Sequence, residues 1–446
     1  MPIINPALPI DKKEPTPFYR WMVLLLVSIA MFGNYYVYDS ISLVADQLKA
    51  SLNFTDLQIG QFYSYYSLAA IIVLVFGGIL VDKWGTKKSA IIFASICTVA
   101  GFLTAVSSNL YIMLAGRFLL GIGSEPLIVA VTVAIAKWYN GKELSFAMGL
   151  NLFFARSGTV AVDNSPSIFP GLYGGGFSAP LYLAAFIGIL SLIGILGYYL
   201  VETSGEKKFK LGGGGETDKL NIKSMFKFNK SFWYITLLCV TFYSAIFPFR
   251  TFAVKFFMET HHVTRETAGW MISNLPLSAM IATPLIGLLV DFIGRRALLM
   301  TVGSILLLPV YLLMAYSNIT LYVPVIMMGI AFSLIPAVMW PSVAYIVKAK
   351  RLGSAYALMT LIQQIGMMIF PLIIGAANDY RGASAANPGG YDLGMWIFSI
   401  LGILGLIFAY LLRKAETGPQ GHGLELSRAE AEAGRLASGT GTKMNI

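Results

Sequence analysis

Two ionisable residues stand in the middle of apolar runs, where charge is expensive. Glu125 lies in Gly121-Ile-Gly-Ser-Glu125-Pro-Leu127, and Arg156 lies in Phe153-Phe-Ala-Arg156-Ser-Gly158. Glu125 is 138 − 125 = 13 residues before Trp138, and Arg156 is 156 − 142 = 14 residues after Lys142. Those two residues mark where one apolar run ends and the next begins, so both charges sit about 20 Å from the same boundary at 1.5 Å per helical residue. A lone charge at the centre of a bilayer costs at least ~2.5–3.5 kcal/mol, so each must face a partner or a wet cavity. Two arrangements satisfy that demand. One is a permanent ion pair fastening adjacent helices. The other is a ligand cradle, in which the planar guanidinium takes a carboxylate and the glutamate takes an ammonium.

Asp39 and Arg250 form a second candidate pair. They stand 39 − 20 = 19 and 250 − 231 = 19 residues into their runs, about 28 Å along a helix and near the far boundary. They suit either a gate contact or two interfacial charges facing water. A third set is duplicated: Gly78-Ile-Leu-Val-Asp82-Lys-Trp-Gly85-Thr-Lys87-Lys88 and Gly287-Leu-Leu-Val-Asp291-Phe-Ile-Gly294-Arg295-Arg296, with 291 − 82 = 209 residues between the aspartates. A carboxylate at a helix C-terminus opposes the helix dipole and needs donors from a neighbour. Asp82, Asp291 and Arg295 therefore suit an inner gate. Tyrosines crowd the first two runs, at Tyr35, Tyr36, Tyr38, Tyr63, Tyr65 and Tyr66. Most of such a cluster is packing or interfacial belt, although a phenol can also hydrogen-bond a ligand.

The elements that must position these groups are membrane helices. Of 446 residues 57% are hydrophobic and 12% charged, against roughly 25% charged in soluble chains. Twelve apolar runs are expected, near 19–47, 57–82, 87–108, 110–138, 143–164, 178–201, 231–258, 266–292, 297–317, 319–349, 353–379 and 390–413, each long enough for ~30 Å of hydrocarbon. Basic residues fall in alternate loops (Lys83, Lys87, Lys88; Lys137, Lys142; Arg295, Arg296; Lys348, Lys350, Arg351), which puts both termini in the cytoplasm. The net charge of +10 is thus membrane topology, not a nucleic-acid footprint. Cys97 and Cys239 lie inside apolar runs and support neither a disulfide framework nor a metal site, and no cofactor is expected.

The halves align again at Ser145-Phe-Ala-Met-Gly-Leu-Asn151 to Gly158 and Gly353-Ser-Ala-Tyr to Gly366, so Arg156 has a neutral counterpart in Gln364. The expected organisation is an all-α membrane protein of two pseudo-symmetric six-helix bundles. Residues 1–201 and 231–413 would form the bundles, joined by a flexible cytoplasmic linker at 202–230 containing Gly212 to Gly215. Residues 414–446 read as a disordered cytoplasmic tail.

The duplicated Asp-Gly-basic loop resembles that of the major facilitator superfamily, whose fold is two related six-helix halves. Gly116-Arg117 to Glu125, Trp138-Tyr-Asn-Gly141-Lys142-Glu143-Leu144, Ala155-Arg156-Ser-Gly158, Asn34-Tyr35-Tyr36-Val-Tyr38-Asp39, Phe247-Pro248-Phe249 and Leu334 to Pro341 are similar to the branch containing the lysosomal dipeptide uniporter. That resemblance implies that Glu125 and Arg156 clamp the amino and carboxyl ends of a dipeptide. It also implies that Tyr35, Tyr36, Tyr63, Tyr66, Asn151, Trp340 and Gln364 line part of the cavity. The chain departs from the branch at Arg250 and in lacking a long acidic N-terminal extension with a dileucine signal. A cell (inner) membrane is accordingly expected ahead of a lysosome-type one, with any accessory subunit left open. No Ser/His/Asp set or His/Glu metal pattern suggests an enzyme. The competing substrate class is an organic acid such as a sugar acid, moved with a proton on Glu125 while Arg156 holds the carboxylate.

Overall fold

An apolar segment in lipid must satisfy its own backbone N–H and C=O groups, and the helix does so within one segment. The computed structural model describes residues 13–139, 143–212, 228–348, 351–419, 421–427 and 430, without the side chains of Val75 and Asp291. Lys142, Lys350, most of the linker and most of the tail beyond Ser427 lie outside the described residues.

The first half forms α1 (Pro17–Asp39), the short α2 (Ala45–Leu52), α3 (Asp56–Val106), α4 (Leu110–Tyr139) and α5 (Leu144–Asp163). Two short turns, α6 (Ser165–Ile168) and α7 (Pro170–Gly174), lead into α8 (Ser178–Lys208). The second half forms α9 (Lys230–His261), α10 (Arg265–Ile293), α11 (Arg296–Leu307), α12 (Val310–Tyr316), α13 (Tyr322–Ile346), α14 (Leu352–Arg381) and α15 (Asp392–Glu416). Gly85, at φ 78°, breaks α3 into two arms. Gly294, at φ 68°, separates α10 from α11 at the matching place in the second copy. Only glycine enters that half of backbone space without steric cost, which is why both loops need it.

Among the described residues, 11 segments are long and apolar enough to cross a membrane, two of them from α3. The expected twelfth, α5, is 20 residues long but carries Asn151, Arg156, Ser157 and Asp163, which dilute its apolar character. Large apolar side chains such as Leu200, Leu288 and Phe292 are exposed around the outside, where lipid would cover them. Inside, α1 packs on α5 and α8, and α3 on α4 and α8, while α9 packs on α14 and α15, and α10 on α13. One core cluster lies wholly within residues 23–209, around Trp138 and Tyr198. The other is built on the second half, around Phe249, Phe256 and Phe257.

The helices alternate in direction, so α1 begins and α15 ends on one face, called here the terminal face. On the opposite face the two halves are tied together by charge. Lys255 of α9 puts Nζ 2.7 Å from both oxygens of Asp56 at the start of α3, and neither side chain has any exposure. Asp379 of α14 accepts the Asp56 and Leu57 amides, each at 2.8 Å, so a carboxylate of one half caps a helix of the other. Arg265 of α10 makes a two-point pair with Asp46 of α2, at 2.7 and 2.6 Å. Arg250 of α9 donates from the single nitrogen Nη2 to both oxygens of Asp163 of α5, at 3.1 and 3.0 Å.

The terminal face is organised differently, within each half. Lys137 pairs with Glu202 and Glu206, and Lys87 with Glu206. The tail corrects the expectation of disorder over residues 416–419 and 421–427. His422 bonds the fully buried Glu416 carboxylate at 2.9 Å, and Leu424 is buried, its carbonyl accepting the Arg296 amide at 2.7 Å. Glu425 accepts the Leu298 amide at 2.9 Å, capping α11. Those unsatisfied donors at the start of α11 are what holds the segment in place.

Candidate functional site

The central cavity, about 390 Å³, is walled by residues from both halves. Helix α1 contributes Tyr35, Tyr38 and Asp39, α3 contributes Tyr66, α4 Ser124, Glu125 and Ile128, and α5 Arg156 and Thr159. From the second half come Tyr243, Phe247 and Arg250 of α9, Phe332 and Trp340 of α13, and Gln363, Gln364 and Met367 of α14. Trp340 and Thr360 also line a wide cleft of about 1070 Å³ that runs to Thr132, Tyr345 and Arg296. The cavity therefore opens toward the terminal face and is closed on the other by the ion pairs.

Glu125 and Arg156 face this common space without touching. Glu125 Oε1 accepts the Tyr66 hydroxyl at 3.0 Å and Gln364 Nε2 at 3.2 Å. No hydrogen bond reaches its Oε2 among the described residues. Arg156 makes neither a hydrogen bond nor an ion pair among the described residues; its guanidinium lies over the Phe332 ring, 4.8 Å from the centroid. A cation over an aromatic face is partly compensated, but all five of its N–H donors remain available. The permanent ion pair between α4 and α5 is thus not formed here. Pro126, next to Glu125, lies inside α4, and its missing N–H loosens the helix where the charge is carried.

The second-half wall is aromatic and fixed. Trp340 Nε1 donates to Tyr243 OH at 3.1 Å, and Tyr243 stacks on Phe247 with ring centroids 5.6 Å apart. Gln364 is buried, and its Oε1 has no hydrogen-bond partner among the described residues.

Three expected wall residues stand elsewhere. Tyr36 is buried in the core near α6 and α8 and is turned away from the cavity. Tyr63 packs under Arg117, whose guanidinium lies 5.2 Å from its centroid, so this phenol belongs to a structural cluster. Asn151 donates to Ser28 Oγ at 3.1 Å and fastens α5 to α1. Helical phase separates these cases: one residue along a helix turns a side chain by 100°, enough to carry Tyr36 away from the face of Tyr35.

The Asp39–Arg250 pair is buried, not interfacial. Arg250 Nη2 approaches Asp39 at 3.7 Å but binds Asp163 more closely, and Thr159 donates to Asp39 at 2.8 Å. Asp163 stands at the end of an apolar run, and only the packing of the two halves brings it to Arg250. Lys255 and Asp56 went unnoticed for the same reason. On the terminal face Asp82 and Arg295 are both exposed, and the Asp291 side chain lies outside the described residues.

Comparison with known proteins agrees with this architecture. The sequence profile of the Major Facilitator Superfamily matches residues 27–256 and again 249–436. The chain belongs to the Major Facilitator Superfamily. It is a transporter, not an enzyme, and its partner is a small-molecule substrate in a lipid setting. It is 29% identical to the lysosomal dipeptide transporter MFSD1 of Danio rerio, over 82% of this chain and 82% of the relative. With the protein of that name from Homo sapiens it is 28% identical, over 90% and 88%. The crystal structure of the nucleoside transporter NupG shares the fold with a TM-score of 0.70 at 14% identity, covering 89% of this chain and 99% of that one. The relatives correct one expectation, that of a cell (inner) membrane: proteins similar over most of the chain are named as lysosomal transporters.

Proposed function

We propose that this carrier moves short peptides, above all dipeptides, across a lysosome-type membrane by alternating access. One observation carries the reading: Arg156 presents unpaired donors to a cavity whose other wall holds Glu125 with an unoccupied oxygen. A zwitterion supplies what both lack, a carboxylate for the fork and an ammonium for the glutamate. The dipeptide names of relatives similar over most of their length support the same substrate class. Side chains would then rest on the aromatic wall of Tyr35, Tyr66, Tyr243 and Trp340, which grips less specifically.

The proposal includes twelve spans, α5 being the twelfth, in two pseudo-symmetric bundles at 1–201 and 231–413, with the linker at 202–230 and the tail at 414–446. Both ends would be cytoplasmic, as the loop charges favour. Asp39 and Arg250 would belong to the outer gate, and Asp82, Asp291 and Arg295 to the inner one. Rocking of one half against the other would break one set while the other forms.

The test is substrate-dependent thermal stabilisation of the purified carrier. Free Ala-Ala should stabilise it, and N-acetylated or C-amidated Ala-Ala should bind more than about tenfold more weakly, since one buried charge then loses its partner. Equal stabilisation by capped and free peptides would refute the clamp. Stabilisation by organic acids alone would favour the acid-and-proton reading, in which only Arg156 binds.

A further inference from the structure

Opposite charges that share a poorly screened space should close on one another, because their attraction there is many times that in water. Glu125 and Arg156 line one cavity and do not close. Net charge does not oppose the pairing. The acids Asp39, Glu125 and Asp163 are matched in number by Arg117, Arg156 and Arg250, and Arg250 answers Asp163.

What holds the two charges apart comes from the second half. Gln364 of α14 donates to Glu125 Oε1 at 3.2 Å, and the Arg156 guanidinium rests over Phe332 of α13, 4.8 Å from its centroid. Phe332 is itself fixed. It is 3% exposed, stacks on Phe242 with centroids 6.3 Å apart, and meets Phe247 edge-on at 6.1 Å. Phe247 is stacked in turn on Tyr243, whose hydroxyl takes the Trp340 indole N–H at 3.1 Å. The ring therefore cannot swing with the arginine. It presents a stationary, electron-rich face to a cation on a long arm that would otherwise fold toward the glutamate. A carboxylate in its place would consume the N–H donors, whereas a ring face leaves the fork complete for a ligand.

We propose that Phe332 is a positioning residue for Arg156: its ring holds the guanidinium away from Glu125 in the empty carrier and so keeps the clamp open for a ligand charged at both ends. This rests on the dipeptide reading above. Without the ring, Arg156 and Glu125 pair, and a ligand must break that pair before it binds.

The experiment measures binding to the purified full chain by thermal stabilisation, with Ala-Ala and with N-acetyl-Ala-Ala, whose only charge is the carboxylate meant for Arg156. Phe332→Leu should weaken both by about tenfold, or about 1.4 kcal/mol. Phe332→Tyr keeps a ring and should stay within about twofold of the unsubstituted carrier. Phe332→Met, flexible and able to fill the same space, should behave as Phe332→Leu and replaces it if that variant does not fold. In a Glu125→Gln background Arg156 has no carboxylate to fold onto, so adding Phe332→Leu should cost N-acetyl-Ala-Ala less than about twofold. Unchanged affinity in Phe332→Leu overturns the proposal. Equal losses in Phe332→Leu and Phe332→Tyr also overturn it, since the residue is then ordinary packing. So does an undiminished loss in the Glu125→Gln background, since the ring then acts on the ligand and not on the pair. Each of these results leaves the dipeptide reading standing as long as Ala-Ala stabilises the unsubstituted carrier. If only N-acetyl-Ala-Ala does so, the dipeptide reading fails, and the comparisons made with that ligand decide the role of Phe332 by themselves.

Discussion

Arg156 and Arg117 are both arginines inside apolar helices, and they are used in opposite ways. Arg117 is fully buried and donates to the carbonyls of Val37, Tyr38 and Phe62, at 3.1, 2.8 and 3.5 Å. Its donors are consumed by backbone, so Arg117→Met should lower the stability of the folded carrier by on the order of 3 kcal/mol, read as a lower unfolding temperature without ligand. Arg156 has no such partners and its loss should be felt by the substrate. Arg156→Lys keeps the charge but not the fork. It should fold and reach the membrane while transporting poorly. Arg156→Gln restores the residue type of Gln364 and should be stable but unresponsive to dipeptide. Normal ligand stabilisation in Arg156→Gln would remove this residue from the binding site. The sequence made Arg156 legible because the duplicated half carries a neutral residue at the matching position. It did not separate Tyr35 from Tyr36, since neighbours in one tyrosine cluster differ only in helical phase. Tyr63 and Asn151 were misread as wall because their partners, Arg117 and Ser28, come from other helices.

At the scale of elements, the closed face is a set of ionic contacts between the halves. Lys255 and Asp56 have no exposure at all, so removing Lys255 leaves the buried Asp56 carboxylate with only the longer contact to Lys49, at 3.3 Å, among the described residues. Lys255→Met should therefore weaken the closed face by about 3–5 kcal/mol and shift the carrier toward the conformation open on that face. Asp379→Asn should act in the same direction more mildly, because its single amide oxygen still accepts one of the two amides that Asp379 takes on separate oxygens. Both shifts can be read as faster labelling of a cysteine placed at Thr159, from the face opposite the termini. Unchanged labelling in Lys255→Met would mean that apolar packing, not charge, holds this face. These contacts were hard to foresee. Asp56, Asp163 and Asp379 stand at the ends of apolar runs, where solvated acids are ordinary, and no spacing tells which half each meets. The Gly85 and Gly294 loops were easy, since a positive φ at a basic turn is written directly as glycine.

Across the whole molecule, the family was legible from repetition: two copies of one loop offset by about half the chain pointed to the Major Facilitator Superfamily, which the profile match bears out. The long apolar runs gave the spans except at α5, where binding chemistry competes with membrane solubility and makes the helix more polar than its neighbours. The organelle was not legible, because loop charges report which face a terminus lies on and not which membrane holds the chain. Function follows from how the faces differ. One face is locked by pairs between halves, while the other leads through the cleft at Trp340 and Thr360 into the cavity. A carrier poised this way should release and bind substrate from the terminal face, and Thr360→Cys should be labelled from that face and protected by saturating dipeptide. The central claim is that Glu125 and Arg156 hold the two ends of a peptide while the halves rock. Exchange of radiolabelled Ala-Ala into proteoliposomes preloaded with unlabelled Ala-Ala tests it most directly, in the unsubstituted carrier, Glu125→Gln and Arg156→Gln. The account predicts rapid exchange in the first, loss in both variants, and no acceleration by preloaded N-acetyl-Ala-Ala-amide. Equal exchange in Arg156→Gln, or equal acceleration by the doubly capped peptide, would contradict it.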